Sequence, residues 1–257
     1  MALPQANVAK YELTLPSQQK TITYRPFLVK EEKILLMALE SGKPDEMLRA
    51  IKDIVKSCTF GELEPDDHPI FDIEYIFLQI RAKSVGEVAK LKVLCPDDKK
   101  TYANAEVDIS KVEVYVDDDH SNNIVIDETR QLGVVLKYPS LKSVNSNLMS
   151  GDLKLSETYE MIYNSIEQIY EGEKVYLSKD TSKEEIKDVV DGLTGEQMKK
   201  IQGFYSSMPR LEHKIKVINP ITNVESDVTL KGLADFFGYE QYTTGNSIKF
   251  VRIPELI

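Results

Sequence analysis

A turn after an alternating apolar and polar stretch carries the residues with the clearest metal chemistry. Cys95 is followed by Pro96, Asp97 and Asp98, at the kind of strand-to-turn position where zinc knuckles carry Cys-x-x-Cys. A structural zinc site normally takes four Cys or His ligands, whereas this turn offers one thiol and, in the place of the second Cys, a carboxylate. The sequence therefore favours an ordinary turn with a free thiol over a metal site, and we expect no metal and no cofactor.

An acidic stretch over residues 117–128 partly fits the pattern of a calcium-binding loop. The matching places are held by Asp117, Asp119, Ser121, Ile124 and Glu128. Asn122 stands in the sixth place, which normally needs Gly for its backbone geometry. Strand patterns rather than helices flank the stretch, so we interpret it as a solvated acidic turn.

Groups that could perform catalysis form no recognisable motif. His68, His120 and His213 lie far apart, none pairs with a Ser or Cys in a nucleophile pattern, and no Gly-rich phosphate loop occurs. The many carboxylates stand in no pattern that implies acid–base chemistry. We predict no catalytic residue and no enzymatic activity, and keep a metal-dependent enzyme as the weakest alternative.

Composition and charge narrow the classes of partner. The chain has 257 residues, of which 42% are hydrophobic and 29% charged, as in folded globular proteins. A net charge of −10 argues against nucleic acid or an anionic membrane as the main partner, and no apolar run approaches a membrane span. The first residues lack the features of a signal peptide. With only Cys58 and Cys95, we expect unlinked thiols and a reducing compartment.

The element that must position the Cys95 turn is a helix followed by a β-hairpin, predicted over residues 71–109. Its strand at residues 91–96 (LKVLCP) lines up with residues 215–220 (IKVINP), each after a Lys and after a stretch with helical apolar spacing. Returning strands are predicted at 105–109 and 227–230. The two units suggest a duplicated helix–hairpin module, with chance similarity as the alternative.

The remaining pattern predicts both helices and strands. A hairpin is predicted over residues 11–25, a terminal hairpin over 241–253 with its turn at Gly245-Asn246, and a strong amphipathic helix over 157–170. Further helices are predicted near residues 29–40, 45–58, 183–191, 194–207 and 230–237. We therefore predict an α+β protein with two lobes, each carrying one helix–hairpin module.

The polar stretch at residues 140–156 is the expected lobe boundary. The predicted domains are residues 1–145, a mixed α/β lobe, and residues 146–257, a more helical lobe.

Several stretches in order along the chain give it a family resemblance. They are residues 24–33 (YRPFLVKEEK), 80–87 (IRAKSVGE), 138–140 (YPS), 193–197 (LTGEQ) and 208–213 (MPRLEH). With these stretches the chain resembles the baseplate hub assembly proteins of T4-like contractile-tailed bacteriophages, over most of its length.

The resemblance implies a phage protein that is made in the host bacterial cytoplasm and acts with other baseplate hub subunits, without enzymatic activity. It leaves open whether the protein stays in the virion, at the tail baseplate, or assists tail assembly as a transient chaperone and then leaves. An oligomer is also left open. Relatives often carry Cys-x-x-Cys at both hairpin turns; here Asp98 and Asn219 depart from that pattern.

The two hairpin turns are the predicted partner-binding sites. Unpaired edge strands beside exposed turns are natural docking templates for another chain. The candidate residues are Asp97, Asp98, Lys99, Lys100, Ile221, Thr222 and Asn223. The alternative is that these turns are solvated loops without a partner.

Overall fold

The computed structural model describes residues 7–143, 155–236, 240–243 and 248–251. Helices and small antiparallel sheets are interspersed along the chain, which confirms the predicted α+β class. The chain packs into two compact units. Unit 1 comprises Met1–Tyr115 and Arg210–Ile257, and unit 2 comprises Val116–Pro209.

Seven α-helices occur in the described part of the chain. They are α1 (Val29–Ser41), α2 (Pro44–Cys58), α3 (Ile70–Val85), α4 (Leu155–Ser165), α5 (Lys183–Asp191), α6 (Gly195–Ser206) and α7 (Gly232–Phe236). Helices α5 and α6 begin with capping boxes, in which the hydroxyls of Ser182 and Thr194 accept from the backbone N–H groups of Glu185 and Gln197. None of these helices combines the length and apolarity needed to cross a bilayer.

The described strands pair with antiparallel neighbours in five small sheets. They are β1 (Tyr11–Thr14), β2 (Thr21–Tyr24), β3 (Val88–Leu94), β4 (Tyr102–Asp108), β5 (Glu113–Tyr115), β6 (Asn123–Asp127), β7 (Leu132–Leu136), β8 (Ile166–Glu171), β9 (Lys174–Leu177), β10 (Arg210–Ile218), β11 (Glu225–Lys231), β12 (Glu240–Thr243) and β13 (Ile248–Val251). The sheet orders are β1-β2, β3-β4, β11-β10-β5, β12-β13 and β6-β7-β8-β9.

Both predicted end hairpins form. Strands β1 and β2 pair from Tyr11 with Tyr24 to Thr14 with Thr21. Strands β12 and β13 confirm the terminal hairpin, whose predicted turn at Gly245-Asn246 lies outside the described residues.

Helix α3 is the centre of unit 1. Phe71, Ile76, Phe77 and Ile80 are almost completely buried, on more than one side of the helix, as expected of a helix that is surrounded by other elements. Helix α2, β10 and α7 all contact it. The helix predicted before the first hairpin therefore positions much of the unit.

A buried ion pair ties the β1–β2 hairpin to the first two helices. Arg25 Nη2 donates to Glu31 Oε1 at 2.8 Å, and Ser57 Oγ donates to the same oxygen at 2.7 Å. The backbone N–H of Leu28 donates to Glu31 Oε2 at 2.8 Å. Both charged side chains are buried, so each depends on the other for neutralisation. These hydrogen bonds and the nearby guanidinium outweigh burial and lower the pKa of Glu31 to about 2.

Unit 2 packs one face of the β6–β9 sheet against helices α4, α5 and α6. The core residues from the sheet include Val134, Leu136 and Ile169, and those from the helices include Ile186 and Phe204. Sheet residues alternate between the two faces, which puts the apolar positions of β7 on the helix side. A register shift between β7 and β8 brings Ile166 as well as Ile169 to the same core.

The helix predicted over residues 157–170 is wrong in its second half. Helix α4 ends at Ser165, and Ile166–Glu171 forms strand β8 in the middle of the sheet. Ile166 and Ile169 fit a helical period, but β-branched and aromatic residues also suit a strand with neighbours on both sides. Pairing with β7 and β9 decides the outcome.

The compact units differ from the predicted lobes, residues 1–145 and 146–257. Strand β10 pairs with β5, and this pairing returns the last part of the chain to unit 1. Both hairpins, β3–β4 and β10–β11, therefore lie in one unit. The duplication hypothesis requires that neither aligned stretch is helical, and neither is. A duplication across two lobes is not confirmed.

Candidate functional site

The first hairpin turn is a tight loop organised by Asp98. The N–H of Cys95 donates to the carbonyl of Thr101 at 2.8 Å, and the N–H of Lys99 donates back to the carbonyl of Cys95 at 3.0 Å. Asp98 Oδ1 accepts from the N–H groups of Lys100 and Thr101 at 2.9 and 3.0 Å. Lys99 adopts a φ of 54°. An aspartate that accepts from nearby backbone donors stabilises a turn of this kind.

The second turn repeats this backbone pattern with an asparagine at its start. The N–H of Asn219 donates to the carbonyl of Val224 at 3.0 Å, and the N–H of Asn223, with a φ of 58°, donates to the carbonyl of Asn219 at 2.9 Å. Asn219 Oδ1 accepts from the N–H groups of Ile221 and Thr222 at 2.8 and 3.2 Å. Asn219 is only 1% exposed, so its side chain is a structural part of the turn.

Asp97 joins the two turns. Asn219 Nδ2 lies 3.0 Å from both carboxylate oxygens of Asp97, and Thr222 Oγ1 donates to Asp97 Oδ2 at 2.5 Å. The turns are more than one hundred residues apart in sequence but are fixed to each other within unit 1. Of the predicted candidates, the structure therefore brings Asp97 and Thr222 into direct contact.

The same hydrogen bonds set the charge of the joined turns. Donation by Asn219 and Thr222 lowers the pKa of Asp97, and donation within its own turn lowers the pKa of Asp98. Both carboxylates are therefore ionised at neutral pH. Lys99 and Lys100 are exposed beside them, so the first turn presents both signs of charge.

Exposed apolar side chains lie on the two turns and the strand ends beside them. The hydrogen bonds by which Asp97 joins the two turns are called the bridge below. Ile221 is 74% exposed, Ile218 is 59% exposed and Val224 is 45% exposed. Leu94 and Tyr102 are cross-strand partners at the end of the β3–β4 hairpin and are also exposed. We define the tip surface as these five residues together with Asp97, Asp98, Lys99, Lys100, Thr222 and Asn223. Single exposed apolar residues are normal, but a group of them on fixed turns is typical of a docking surface.

The turns do not fit a zinc site. Cys95 is buried and is a free thiol, as is Cys58, and burial raises the pKa of the Cys95 thiol, which disfavours the thiolate that a metal needs. The carboxylate of Asp98 already accepts from its own turn. Across the described residues, no group of three or more His, Cys, Asp or Glu side chains could hold a metal ion.

Unit 2 contains a hydrogen-bonded group of side chains around His120 that the sequence does not predict. His120 Nδ1 lies 2.9 Å from Ser207 Oγ, and His120 Nε2 lies 3.0 Å from Tyr138 Oη. Ser207 Oγ also lies 3.0 Å from the carbonyl oxygen of Gly203, so its proton has a backbone acceptor besides the imidazole. The ring also packs against Phe204. Partial burial lowers the pKa of His120. This arrangement stabilises a helix end and does not resemble an activated serine.

Sequence reasoning missed Asn219 as the residue that fixes the two turns together. A signal was present, because the alignment of residues 91–96 with 215–220 places Asn219 opposite Cys95. The alignment does not reveal that the two turns contact each other, since nothing in either local pattern depends on the other.

Comparison with known proteins gives one informative result. Neither the curated proteins nor the solved structures gave a match. The family described as T4 bacteriophage base plate protein matches residues 8–238, a span that includes both turns and most of the chain. The chain therefore belongs to the T4 bacteriophage base plate protein family.

Proposed function

We propose that the protein is a structural subunit of the baseplate hub of a contractile-tailed phage and binds neighbouring subunits through the tip surface. The observation that carries the proposal is the pair of turns, held together by Asp97, that presents Ile218, Ile221 and Val224 to solvent. A preformed surface loses little conformational entropy when a partner binds. Membership of a baseplate family supplies the class of partner.

Several finer parts of the proposal rest on the family resemblance. The resemblance implies that the protein is made in the host cytoplasm and joins other hub subunits. We propose in addition that it remains in the virion tail, a role that membership of a baseplate family supports. No enzymatic activity is part of this role, and the engaged hydrogen bonds of His120 and Ser207 agree with that assignment.

The direct test changes the exposed part of the tip surface without breaking its hydrogen bonds. A full replacement of residues 97–100 would also remove the Asp97 bridge, so Ile221→Asp is the cleaner variant. Ile221 is 74% exposed, and the substitution puts a charge where the proposal places an apolar contact. The control is Met37→Asp, a similar change at a 69% exposed position on α1.

Each variant is supplied to a phage that lacks the gene, and infectious particles and assembled baseplates are counted at matched protein levels. The proposal predicts at least a tenfold loss of particles for Ile221→Asp and a near-normal yield for Met37→Asp. A normal yield for Ile221→Asp would rule out the tip surface as an assembly contact. Mass spectrometry of purified particles then distinguishes a resident subunit from a transient assembly chaperone, because only the former stays in the particle.

A further inference from the structure

Unit 2 has an open groove of about 480 Å³ beside its sheet. Its apolar lining includes Leu132, Ile169 and Tyr176 from the sheet, which we call the floor, and Val189 of helix α5 and Leu193. Ile169 and Tyr176 are direct cross-strand partners on β8 and β9, so they share one face of the sheet. Ile169 is 6% exposed but Tyr176 is 47% exposed. The groove is therefore the place where the apolar face of the sheet extends beyond its helical cover.

The rim of the groove is acidic. Among the described residues that line the groove, the one cation is Arg130, which donates from Nη2 to Glu171 Oε1 at 2.7 Å. The charges of these two side chains therefore cancel. Glu185 and Asp188 of helix α5 are then the acidic residues that give the rim its negative charge. Hydrogen bonds from Ser182 lower the pKa of Glu185, which keeps it ionised at neutral pH.

The acidic rim belongs to an acidic unit. Residues 116–209 contain 17 Asp and Glu against 10 Lys and Arg, a net charge of −7, out of −10 for the whole chain. A cationic group is therefore attracted to the groove both by its rim and by the field of unit 2.

An unpaired strand edge borders the groove. Within the described residues, β9 is the last strand of its sheet and pairs only with β8. The N–H of Ser178 donates to the carbonyl of Glu167 at 2.9 Å, and bonded pairs alternate along an antiparallel ladder. The backbone N–H and carbonyl of Val175 therefore point away from β8. A strand added there would place every second side chain on the face of Tyr176 and Ile169.

We propose that this groove binds an extended segment of a partner protein, which lies beside β9 and inserts an apolar side chain flanked by Lys or Arg. The apolar floor accepts the anchor, Glu185 and Asp188 attract the flanking cations, and Val175 supplies backbone hydrogen bonds. The charge argues against a second copy of this acidic unit as the occupant, because like charges would meet. The proposal is independent of the tip surface, which lies in unit 1.

The test uses the full chain and short synthetic peptides with alternating Thr. Each peptide carries Leu, Phe or Tyr at its centre, flanked by Lys in one set and by Glu in the matched set. Fluorescence anisotropy measures Kd at low and at high salt. We expect the Lys set to bind at least about tenfold more tightly than the Glu set, with an affinity that falls as salt rises.

Two variants locate the binding. Asp188→Lys, on the exposed rim, should weaken the Lys peptides about tenfold or more, and Tyr176→Ser should weaken both sets by removing part of the floor. Asp119→Lys makes the same charge change at an exposed turn outside the groove and should have a much smaller effect.

Three outcomes would overturn the proposal: no binding of the Lys peptides, equal binding of both sets, or equal effects of Asp188→Lys and Asp119→Lys. A dimer of the free protein that Tyr176→Ser dissociates would overturn it as well, since a second copy would then be the occupant.

Discussion

Asp97 shows how one side chain can hold two distant turns together. It receives hydrogen bonds from Asn219 and Thr222, which are 122 and 125 residues further along the chain. Hydrogen bonds to a charged acceptor are among the stronger ones in proteins, and the partner amide is buried. The bridge holds two otherwise separate turns in one arrangement.

From the bridge we predict that Asn219→Ala lowers the stability of the folded protein. The substitution removes the donor to Asp97 and the acceptor for the N–H groups of Ile221 and Thr222. We expect a loss of about 1–3 kcal/mol in the free energy of unfolding, because a buried hydrogen-bonding group is lost. Urea unfolding measures it. The matched control is Asn104→Ala at an exposed position of β4, which should change stability by less than about 0.5 kcal/mol. Equal effects would show that the bridge contributes nothing.

The buried ion pair gives a second prediction at this scale. Glu31→Ala leaves Arg25 buried without its carboxylate, and removal of one partner of such a pair costs about 3–5 kcal/mol. Glu40→Ala, at an exposed position of the same helix, should cost far less. Urea unfolding compares the two, and a similar small loss in both would contradict the assigned role.

The pH dependence of Glu31 follows from its lowered pKa. The folded-state pKa of Glu31 is about 2, whereas the pKa of an unfolded glutamate is about 4.3. The ionised carboxylate therefore stabilises the folded protein in full at pH values above the unfolded pKa. That contribution is lost as pH falls from about 4.3 through 2. Unfolding measured at a series of acidic pH values should therefore show a smaller loss of stability in Glu31→Ala than in the native protein over this range.

Among the secondary-structure elements, the sequence predicts those whose local pattern fits only one kind of element. The alternating strands β1, β2 and β3 and the helices α3, α5 and α6 are predicted from the spacing of their apolar residues. Strand β8 is not, because the pattern of Ile166 and Ile169 fits both a helix and a strand and the neighbouring strands decide between them. The contact between the two turns was missed for the same reason, since it depends on how distant elements meet.

Two glycines of unit 2, one in its sheet and one in a helix, yield a prediction. A Cβ on Gly133 of β7 would lie 2.2 Å from Tyr170 Oη and 2.8 Å from the carbonyl oxygen of Ile124. Gly133→Ala should therefore destabilise the protein by about 1–3 kcal/mol, since the strand must shift. Gly203→Ala in helix α6 meets nothing within 4 Å and should stabilise by about 0.5–1 kcal/mol. Urea unfolding gives both values, and the same sign for both variants would contradict this packing.

At the scale of the whole molecule, the two units carry different surfaces. Unit 1 presents the tip surface, with apolar groups around a rigid bridge, and has a net charge of −3, from 25 Asp and Glu and 22 Lys and Arg. Unit 2 carries most of the negative charge and the groove. Because the two proposed surfaces differ in chemistry, we expect them to select different partners.

The central claim is that the tip surface contacts another baseplate protein in the assembled particle. A photo-reactive amino acid placed at Ile221 tests it in phage grown with that variant, with the same group at Met37 as the control. Both positions are well exposed, so both can react if a neighbour is present. We predict that irradiation of purified particles links the Ile221 variant to a second baseplate protein, identified by mass spectrometry, more strongly than the Met37 variant. Particles that contain the protein but give no cross-link from Ile221 would contradict it.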